Sequence, residues 1–351
     1  MRPAPFRDAS GVLDALTQTH RRVGVVPSGD ECLRYVLPVP RGWGRVCALA
    51  ANPAAGRPEI LGIFSPQPDL AGPRLIVSAT RLRWDVDPLL WTRYHWETAG
   101  WRIAAAQPLE ARWHPRFEVG ALRRVEGEVE VRRGVGFVDN GRLLRVDAVA
   151  PSSVWARVHD TLWPSGVLFS LAKPTYRREV EARMRIGNSS LVAFGLPASW
   201  RATRVAAPDA GVERWVASPT DDIGRSVALR VEASAWNGET LEPIEARQLR
   251  VRHELWQQGI KMARRVERVH AGLAAGTPGL AGVFSVVGRD DEESFEIRLA
   301  HRFVDGVLVD YIVVVASPTR FPLDFMRAAR ALEIAVATTE VRPQEEQEHA
   351  A

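Results

Sequence analysis

Histidines are the residues of this chain best able to do acid–base or metal chemistry, so their spacing is the first test of an enzymatic function. The eight histidines stand at positions 20, 95, 114, 159, 253, 270, 301 and 349. His253-Glu254 starts like the zinc-binding helix motif, but Gln257 occupies the place of its second histidine. His159 and Asp160 are adjacent, so on a helix their side chains point to different faces. We therefore predict no metal ion and no catalytic residues.

Motifs for other chemistry are absent from the sequence as well. It contains neither the Gly-x-x-x-x-Gly-Lys-Ser/Thr phosphate loop nor the Gly-x-Ser-x-Gly nucleophile elbow. The two cysteines, Cys32 and Cys47, cannot complete a thiolate zinc site, although mixed ligation stays open. We predict no cofactor, and we keep a small-molecule-binding enzyme as the last of three functional hypotheses.

Tryptophan is the one residue type present in unusual number, with 12 in the chain. Trp91, Trp96 and Trp101 are five residues apart, so on a helix they wrap around it and cannot all face one core. One interpretation is a bulky core with a seam between two domains. The other is a groove that holds an apolar partner segment by aromatic contacts, with arginines at its rim. The candidate partner-binding residues of that groove are Trp84, Trp91, Trp96, Trp101, Arg81 and Arg93.

The charge pattern argues against a nucleic-acid partner. The formal net charge is only +4 over 351 residues, and all basic residues except Lys173 and Lys261 are arginines. This arginine bias is typical of a GC-rich bacterial genome. Basic residues also alternate with acids, as in Arg123-Arg124-Val125-Glu126, which is usual for solvated faces with local ion pairs. We predict no nucleic-acid surface.

The sequence shows no segment that would direct the chain into or across a membrane. Its first residues lack the apolar stretch of a secretory signal, and no apolar run approaches the length of a spanning helix. We therefore expect a cytoplasmic protein without a membrane span.

Two short phrases that recur in the same order reveal how the chain is organised. Val39-Pro40-Arg41-Gly42-Trp43 returns as Leu196-Pro197-Ala198-Ser199-Trp200, and Phe137-Val138-Asp139-Asn140-Gly141 returns as Phe303-Val304-Asp305-Gly306. The first phrase recurs 157 residues later and the second 166 residues later, a drift that loop insertions between two copies would produce. The sequence therefore predicts an internal duplication.

Each copy shows the same predicted series of strands, a helix, more strands and a final helix. In the first copy we predict strands over 33–37, 59–64, 74–79, 125–132, 135–137 and 142–150, and helices over 89–100 and 153–163. In the second copy we predict strands over 191–196, 213–217, 226–231, 282–287, 294–303 and 307–316, and helices over 243–259 and 322–335. In the second copy's first helix, Ile244, Leu249, His253 and Trp256 lie roughly along one side.

This series predicts an α+β fold: two tandem copies of an antiparallel-sheet α/β/α sandwich. The predicted divisions are an N-terminal extension 1–32, a first domain 33–174, a linker 175–188, a second domain 189–338 and a disordered tail 339–351. The opening strand of the second copy could begin within the linker.

The order of elements, with Pro40 and Trp43 at the front of a copy and the Phe137 phrase in its late hairpin, resembles the PsbP/Mog-type α/β/α sandwich superfamily. Among bacterial members the chain is most similar in character to the effector-associated (Eag) chaperones of type VI secretion. The resemblance covers about 33–172 and 189–338. It implies a non-catalytic protein that shields apolar N-terminal segments of toxins before export, and a fused tandem would be similar to a dimer of such chaperones.

These observations leave three functional hypotheses. The first is a cytoplasmic protein-binding chaperone or adaptor, acting as a monomeric pseudo-dimer or a homodimer on an effector segment with apolar helices. The second is a structural subunit of a bacterial secretion or envelope assembly. The third is the small-molecule-binding enzyme named above.

Overall fold

The computed structural model describes two compact units. It covers residues 16–27, 30–47, 58–68, 70, 72–109, 115–186, 191–207, 209–221, 227–236, 244–269, 274–316 and 319–341. The first unit comprises Met1–Arg83 and Pro88–Val180, and the second comprises Trp84–Asp87 and Glu181–Ala351. The boundary at Val180 falls within the predicted linker. The predicted tail beyond Val341 lies outside the described residues.

The first unit is built on a seven-stranded antiparallel sheet with the order β3-β4-β5-β9-β8-β7-β6. Beside it lies a three-stranded sheet with the order β1-β2-β10. The elements are β1 (His20–Val25), β2 (Tyr35–Pro40), β3 (Gly44–Cys47), β4 (Pro58–Ser65), β5 (Arg74–Arg81), α1 (Pro88–Thr98), β6 (Arg102–Leu109), β7 (Arg116–Val125), β8 (Glu128–Asp139), β9 (Arg142–Pro151), α2 (Ser152–Val167) and β10 (Ser170–Leu171).

The second unit repeats this plan. Its large sheet has the order β13-β14-β15-β20-β19-β18-β16, with β17 also paired to β18, and its small sheet has the order β11-β12-β21. The elements are β11 (Arg183–Ile186), β12 (Val192–Pro197), β13 (Trp200–Val205), β14 (Val212–Pro219), β15 (Val227–Ala235), α3 (Ile244–Gln257), β16 (Lys261–Met262), β17 (Glu267–Val269), β18 (Leu280–Arg289), β19 (Ser294–Val304), β20 (Val307–Ala316), α4 (Pro322–Thr338) and β21 (Glu340–Val341).

Apart from the additional β17, the two large sheets have the same strand order, and so do the small sheets, which confirms the predicted α+β fold of two antiparallel-sheet units. In each unit the large sheet has a helix on either face: α1 and α2 in the first unit, α3 and α4 in the second. On β9, Leu144 and Val146 point to the core under α2, where Leu162 is buried, while Arg145 and Asp147 lie on the face toward α1. This alternation follows from the two-residue period of a strand.

Several predicted boundaries need correction. β1 lies inside the predicted N-terminal extension but pairs with β2 along six residues, so it belongs to the first unit. The strand predicted over 125–132 is divided by a tight turn at Glu126 and Gly127, whose φ angles are 49° and 89°. The opening strand of the second unit, β11, lies within the predicted linker, where the sequence analysis allowed it to begin. Within the described part of the chain, no helix is both long and apolar enough to span a bilayer.

The repeated phrase at the late hairpin aligns one residue differently from the sequence match. Asn140-Gly141 turns between β8 and β9, and Asp305-Gly306 makes the same turn between β19 and β20, with φ of 48° and 72° against 44° and 75°. Both turns need positive φ, which glycine and asparagine or aspartate tolerate. Phe137 therefore corresponds to Arg302 and not to Phe303. A shift of one residue along a strand changes which face each side chain takes.

Arg302 uses that inward position to close the end of a helix. Its Nη1 donates hydrogen bonds to the carbonyl oxygens of Val336 and Thr339, both at 2.7 Å, and its Nε donates to the carbonyl of Pro278 at 3.1 Å. The last carbonyls of a helix have no partner inside it, and their partial negative charge favours a cation. Arg116 does the same for α2 from a different strand, since it donates to the Val167 carbonyl.

We predict that Arg302→Met lowers the free energy of unfolding by about 2–4 kcal/mol, because it leaves buried helix-terminal carbonyls without donors. Urea denaturation followed by circular dichroism measures the change. Arg185→Met is the matched control, because the Arg185 side chain is 70% exposed and pairs with Glu340, which is itself 67% exposed. Equal losses in the two variants would contradict the capping role.

Candidate functional site

The predicted tryptophan groove is organised by the end of α1. Gly100 lies two residues beyond the end of α1 and has a φ of 81°, and the Trp101 backbone N–H donates to the Trp96 carbonyl at 2.9 Å. This is the usual left-handed helix ending that glycine permits. It brings the Trp96 and Trp101 rings together, with their centroids 6.2 Å apart.

Both rings lie over charged residues of the large sheet. The Arg132 guanidinium carbon is 4.4 Å from the Trp96 ring centroid, and that of Arg123 is 4.5 Å from the Trp101 ring. Asp147 lies beneath them and accepts hydrogen bonds from Arg132 Nη2 at 2.5 Å and Arg145 Nε at 2.8 Å. Guanidinium groups stack on indole faces with a favourable energy that grows when water is excluded.

Asp147 is fully buried and still ionised. Burial alone raises the pKa of a carboxyl group, but the charges and hydrogen bonds of Arg132 and Arg145 outweigh it and hold the pKa of Asp147 below its usual range. The residue at Gly134 has to be small, because a Cβ there would overlap Asp147 Oδ1 and the Trp96 ring. The site is therefore a closed ion-pair cluster under α1.

This geometry corrects the assignment of Trp96 and Trp101 as partner-binding residues. Their exposed fractions are 2% and 5%, because they close the α1 side of the sheet over the ion pairs. Neither ring can contact a partner while α1 keeps its place.

The other four predicted residues do not complete one surface with them. Trp84 is half-buried and belongs to the second unit. Trp91 is half-buried against the His95 ring, with the centroids 4.2 Å apart. Arg81 is exposed and Arg93 is half-buried. A partner contact by Trp91, Arg81 or Arg93 stays a prediction, and the aromatic groove as a whole is not formed.

The corresponding helix of the second unit carries an exposed surface instead. The α3 residues Val251 and Leu255 are buried on the sheet, while Leu249 is 60% exposed and Trp256 is 59% exposed. His253 lies between them on the outer side and stacks on the Trp256 ring at 6.1 Å and 28°. We call Leu249, His253 and Trp256 the α3 stripe. Sequence reasoning placed these three residues on one side of the helix but could not decide which side faces water.

A comparison of the C-terminal ends of α1 and α3 shows that the fold does not require a tryptophan at position 256. Gly259 ends α3 with a φ of 88°, and the Ile260 N–H donates to the Leu255 carbonyl as Trp101 does to Trp96. Leu255 and Ile260 thus stand where the first unit has its two buried indoles. By the same alignment, Trp256 stands where the first unit has the exposed Glu97. A large indole at a surface position is costly to leave in water without a further role.

The segment that contains the α3 stripe has an excess of basic residues, with seven arginines and lysines against three glutamates over 244–269. The exposed cations are held in ion pairs with carboxylates: Arg250 with Asp310, Lys261 with Asp291 and Arg265 with Glu267. The helix carboxylate Glu254 is held by Arg230 at 2.7 Å and is only 21% exposed.

Beneath α3 lies a buried histidine–carboxylate pair that sequence reasoning missed. His301 is fully buried, and its Nδ1 is 2.7 Å from Asp310 Oδ1, while Arg247 binds the other carboxylate oxygen. The two residues are directly opposite on β19 and β20, where the first unit has Gly136 and Arg145. The pair could orient an imidazole for acid–base chemistry, but this imidazole has no access to solvent. Among the described residues, no group of three or more histidine, cysteine, aspartate or glutamate side chains could hold a metal ion.

Known proteins give no assignment for this chain. No protein family matches the sequence, and no curated protein does. Solved structures similar to it include cyanobacterial PsbP (CyanoP) from Synechocystis sp. PCC 6803, with a TM-score of 0.33 and 12% identity over 44% of this chain and 92% of that one. LpqN, involved in cell envelope biogenesis of Mycobacterium tuberculosis, has a TM-score of 0.32 and 17% identity over 45% and 95%.

A third similar structure spans most of both chains. It is the type VI secretion immunity protein TplEi from Pseudomonas aeruginosa in complex with an "L" peptide, with a TM-score of 0.23 and 12% identity over 92% of this chain and 98% of that one. Similarities of this size assign no function, so the candidate site rests on its own geometry.

The Asp147 cluster predicts how stability depends on pH. Because the pKa of Asp147 in the folded state lies below that of an ordinary aspartate, its contribution is complete above the unfolded pKa and is lost as the pH falls through the folded pKa. We expect the free energy of unfolding to decline below about pH 4 in the wild type and less steeply in Asp147→Asn. At pH 7 this variant should lose about 3–5 kcal/mol, because two buried guanidiniums lose their counter-charge.

Urea denaturation at pH 7, 4 and 3 checks both effects. Glu267→Gln is the control, since the Glu267 side chain is 60% exposed in its pair with Arg265. If wild type and Asp147→Asn show the same pH dependence, the ionised state of Asp147 is not what stabilises the cluster.

Proposed function

We propose that this chain is a non-catalytic protein-binding adaptor or chaperone whose docking surface is the α3 stripe. The observation that carries the proposal is Trp256, which is 59% exposed at a position that the equivalent helix gives to glutamate. Tryptophan is among the residues most enriched at the energetic centres of protein interfaces. A partner that covered its ring would gain apolar burial that the isolated chain lacks.

The spacing of the stripe suits a helical partner. Leu249, His253 and Trp256 follow one another by four and three residues, which places them on one helix face. Two helices that meet through such faces interlock their side chains over several turns. The occupant that we propose is a helical segment with leucine-like side chains on the side that meets Leu249 and Trp256.

The charges around the stripe select among apolar segments. The segment over 244–269 carries seven basic against three acidic residues, so a partner segment with glutamate or aspartate beside its apolar face is favoured over one with lysine. Rim charges of this kind act mainly on association rate and specificity, and the indole supplies most of the affinity.

We also propose what kind of protein the partner is. The resemblance of the repeated Pro-x-x-Trp phrases to the PsbP/Mog superfamily supports an exported effector whose apolar helices are shielded in the cytoplasm. The second hypothesis, a structural subunit of a secretion or envelope assembly, differs in its assembly state. Light scattering separates them, because a subunit should form a stable ring or filament and an adaptor should stay a monomer or dimer.

We predict that Trp256→Ala weakens binding of a defined probe by about 10- to 30-fold, which corresponds to about 1.4–2 kcal/mol. The probe is a fluorescein-labelled synthetic helix with leucines on one face and glutamates beside them, and anisotropy measures its dissociation constant. Glu97→Ala is the matched control, because it truncates the equivalent position of α1 and should leave binding unchanged.

A second probe with lysines in place of the glutamates tests the charge selection. We expect it to bind at least several-fold more weakly than the acidic probe at low salt, and the difference should shrink as salt is added. Equal binding of the acidic probe to the wild type and Trp256→Ala would overturn the docking surface.

A further inference from the structure

The second unit includes four residues that come from far earlier in the chain than the rest of it. The segment Trp84–Asp87, with the sequence Trp-Asp-Val-Asp, groups with Glu181–Ala351 and not with its sequence neighbours. It follows β5 and precedes α1, and we call it the Trp-Asp segment. Its contacts are made by an indole, a carboxylate and a backbone N–H.

The indole is held by a charged pair of the second unit. The Arg327 guanidinium carbon lies 5.0 Å from the Trp84 ring centroid, and Arg327 Nη2 donates to Asp221 Oδ1 at 2.7 Å. The Trp84 side chain also hydrogen-bonds to Asp221. The cation contacts the face of the indole ring, and the carboxylate accepts the hydrogen bond of the indole N–H. Both interaction sites of the tryptophan are therefore used.

The carboxylate that follows is enclosed. Asp85 is 2% exposed, and its Oδ1 is 3.8 Å from Arg330 Nε. Its Oδ2 accepts the backbone N–H of Glu181 at 3.1 Å, while the Asp85 backbone N–H donates to Glu181 Oε1 at 2.9 Å. The other Glu181 oxygen accepts the Ser199 N–H at 2.8 Å, which orients the glutamate for this exchange.

The receptor side of these contacts is built from charged residues of α4 that are unusually buried. Arg327, Arg330 and Glu333 are 4%, 8% and 6% exposed, whereas Arg157 and Asp160 of α2 are exposed in the first unit. Buried charges are retained only where partners compensate for their lost hydration. The α4 charges receive part of that compensation from the Trp-Asp segment.

From these contacts we propose that the α4 side of the second unit is a binding site for a peptide segment in which an indole is followed directly by a carboxylate. In this chain the site is occupied by its own Trp84 and Asp85. The segment acts as an internal ligand with a high effective concentration, so an external segment with the same pair binds only when the internal one is removed. This site is independent of the α3 stripe, which belongs to a different helix.

Peptide binding to the full chain tests the proposal. The probe is a fluorescein-labelled peptide with the sequence of residues 82–88, Leu-Arg-Trp-Asp-Val-Asp-Pro. We expect saturable binding to the Trp84→Ala/Asp85→Ala double variant, and binding at least about 10-fold weaker to the wild type, where the internal segment competes at roughly millimolar effective concentration. Peptides with alanine for the tryptophan or asparagine for the aspartate should lose most of the affinity.

Two further variants assign the binding to this site. Adding Arg330→Gln to the double variant should abolish peptide binding, whereas adding Arg204→Gln, at an exposed site of the same unit, should not. Adding Trp256→Ala should also leave peptide binding unchanged, which separates failure of this site from failure of the α3 stripe. If the double variant is folded and binds the peptide no better than the wild type does, the proposal is overturned.

Charge reversal provides a test that does not require an empty site. Asp85→Arg and Arg330→Asp should each lower the thermal unfolding midpoint, and the combined variant should recover a large part of the loss because the ion pair is restored with reversed polarity. Strictly additive losses in the combined variant would overturn the pairing of Asp85 with Arg330.

Discussion

Both faces of each large sheet are buried, and each sheet closes its second face over ionised side chains. One face presents aliphatic residues to a long helix, as an antiparallel sheet normally does. The other carries Asp147 with Arg132 and Arg145 in the first unit, and Asp310 with His301 in the second, where Arg247 of α3 also binds Asp310. Charge can be buried this way only if every carboxylate has donors within reach. The helices α1 and α3 exclude water from these pairs, so their positions depend on the same contacts.

The dominance of arginine among the basic residues fits this design. A guanidinium keeps its proton in a buried setting, donates in fixed directions and stacks on aromatic rings. Arg132 shows all three properties, since it binds Asp147 and lies against both Trp96 and Trp101. The structure thus shows how arginines at sheet positions are used.

Much of the fold was predictable from sequence because turn chemistry and strand periodicity are local. The Asn140-Gly141 and Asp305-Gly306 turns, the four helices and the paired plan of the two units follow from short patterns. The strands β1, β6 and β7 were missed. For β1 and β6 the reason is that edge strands bury few side chains and leave a weak pattern.

The candidate site was less predictable, because burial is a property of the whole fold. Trp96 and Trp256 are the same residue type on equivalent helices, yet one closes a core and the other faces water. A helical pattern shows which residues share a side, but the polar residues beneath decide which side turns inward. The polar residues beneath α3, His301 and Asp310, are far from α3 in sequence, so no local pattern could have identified them.

The location of the Trp-Asp segment also has a consequence for how this duplicated chain can evolve. Two copies of a domain are ordinarily separable, and each can be lost, exchanged or transferred to another gene. Here residues from within the first copy complete the second, because Asp85 and Glu181 satisfy each other's backbone N–H groups. A gene break at the boundary between the copies would leave the later copy without part of its own packing. The later copy thus depends on residues that are encoded within the earlier one.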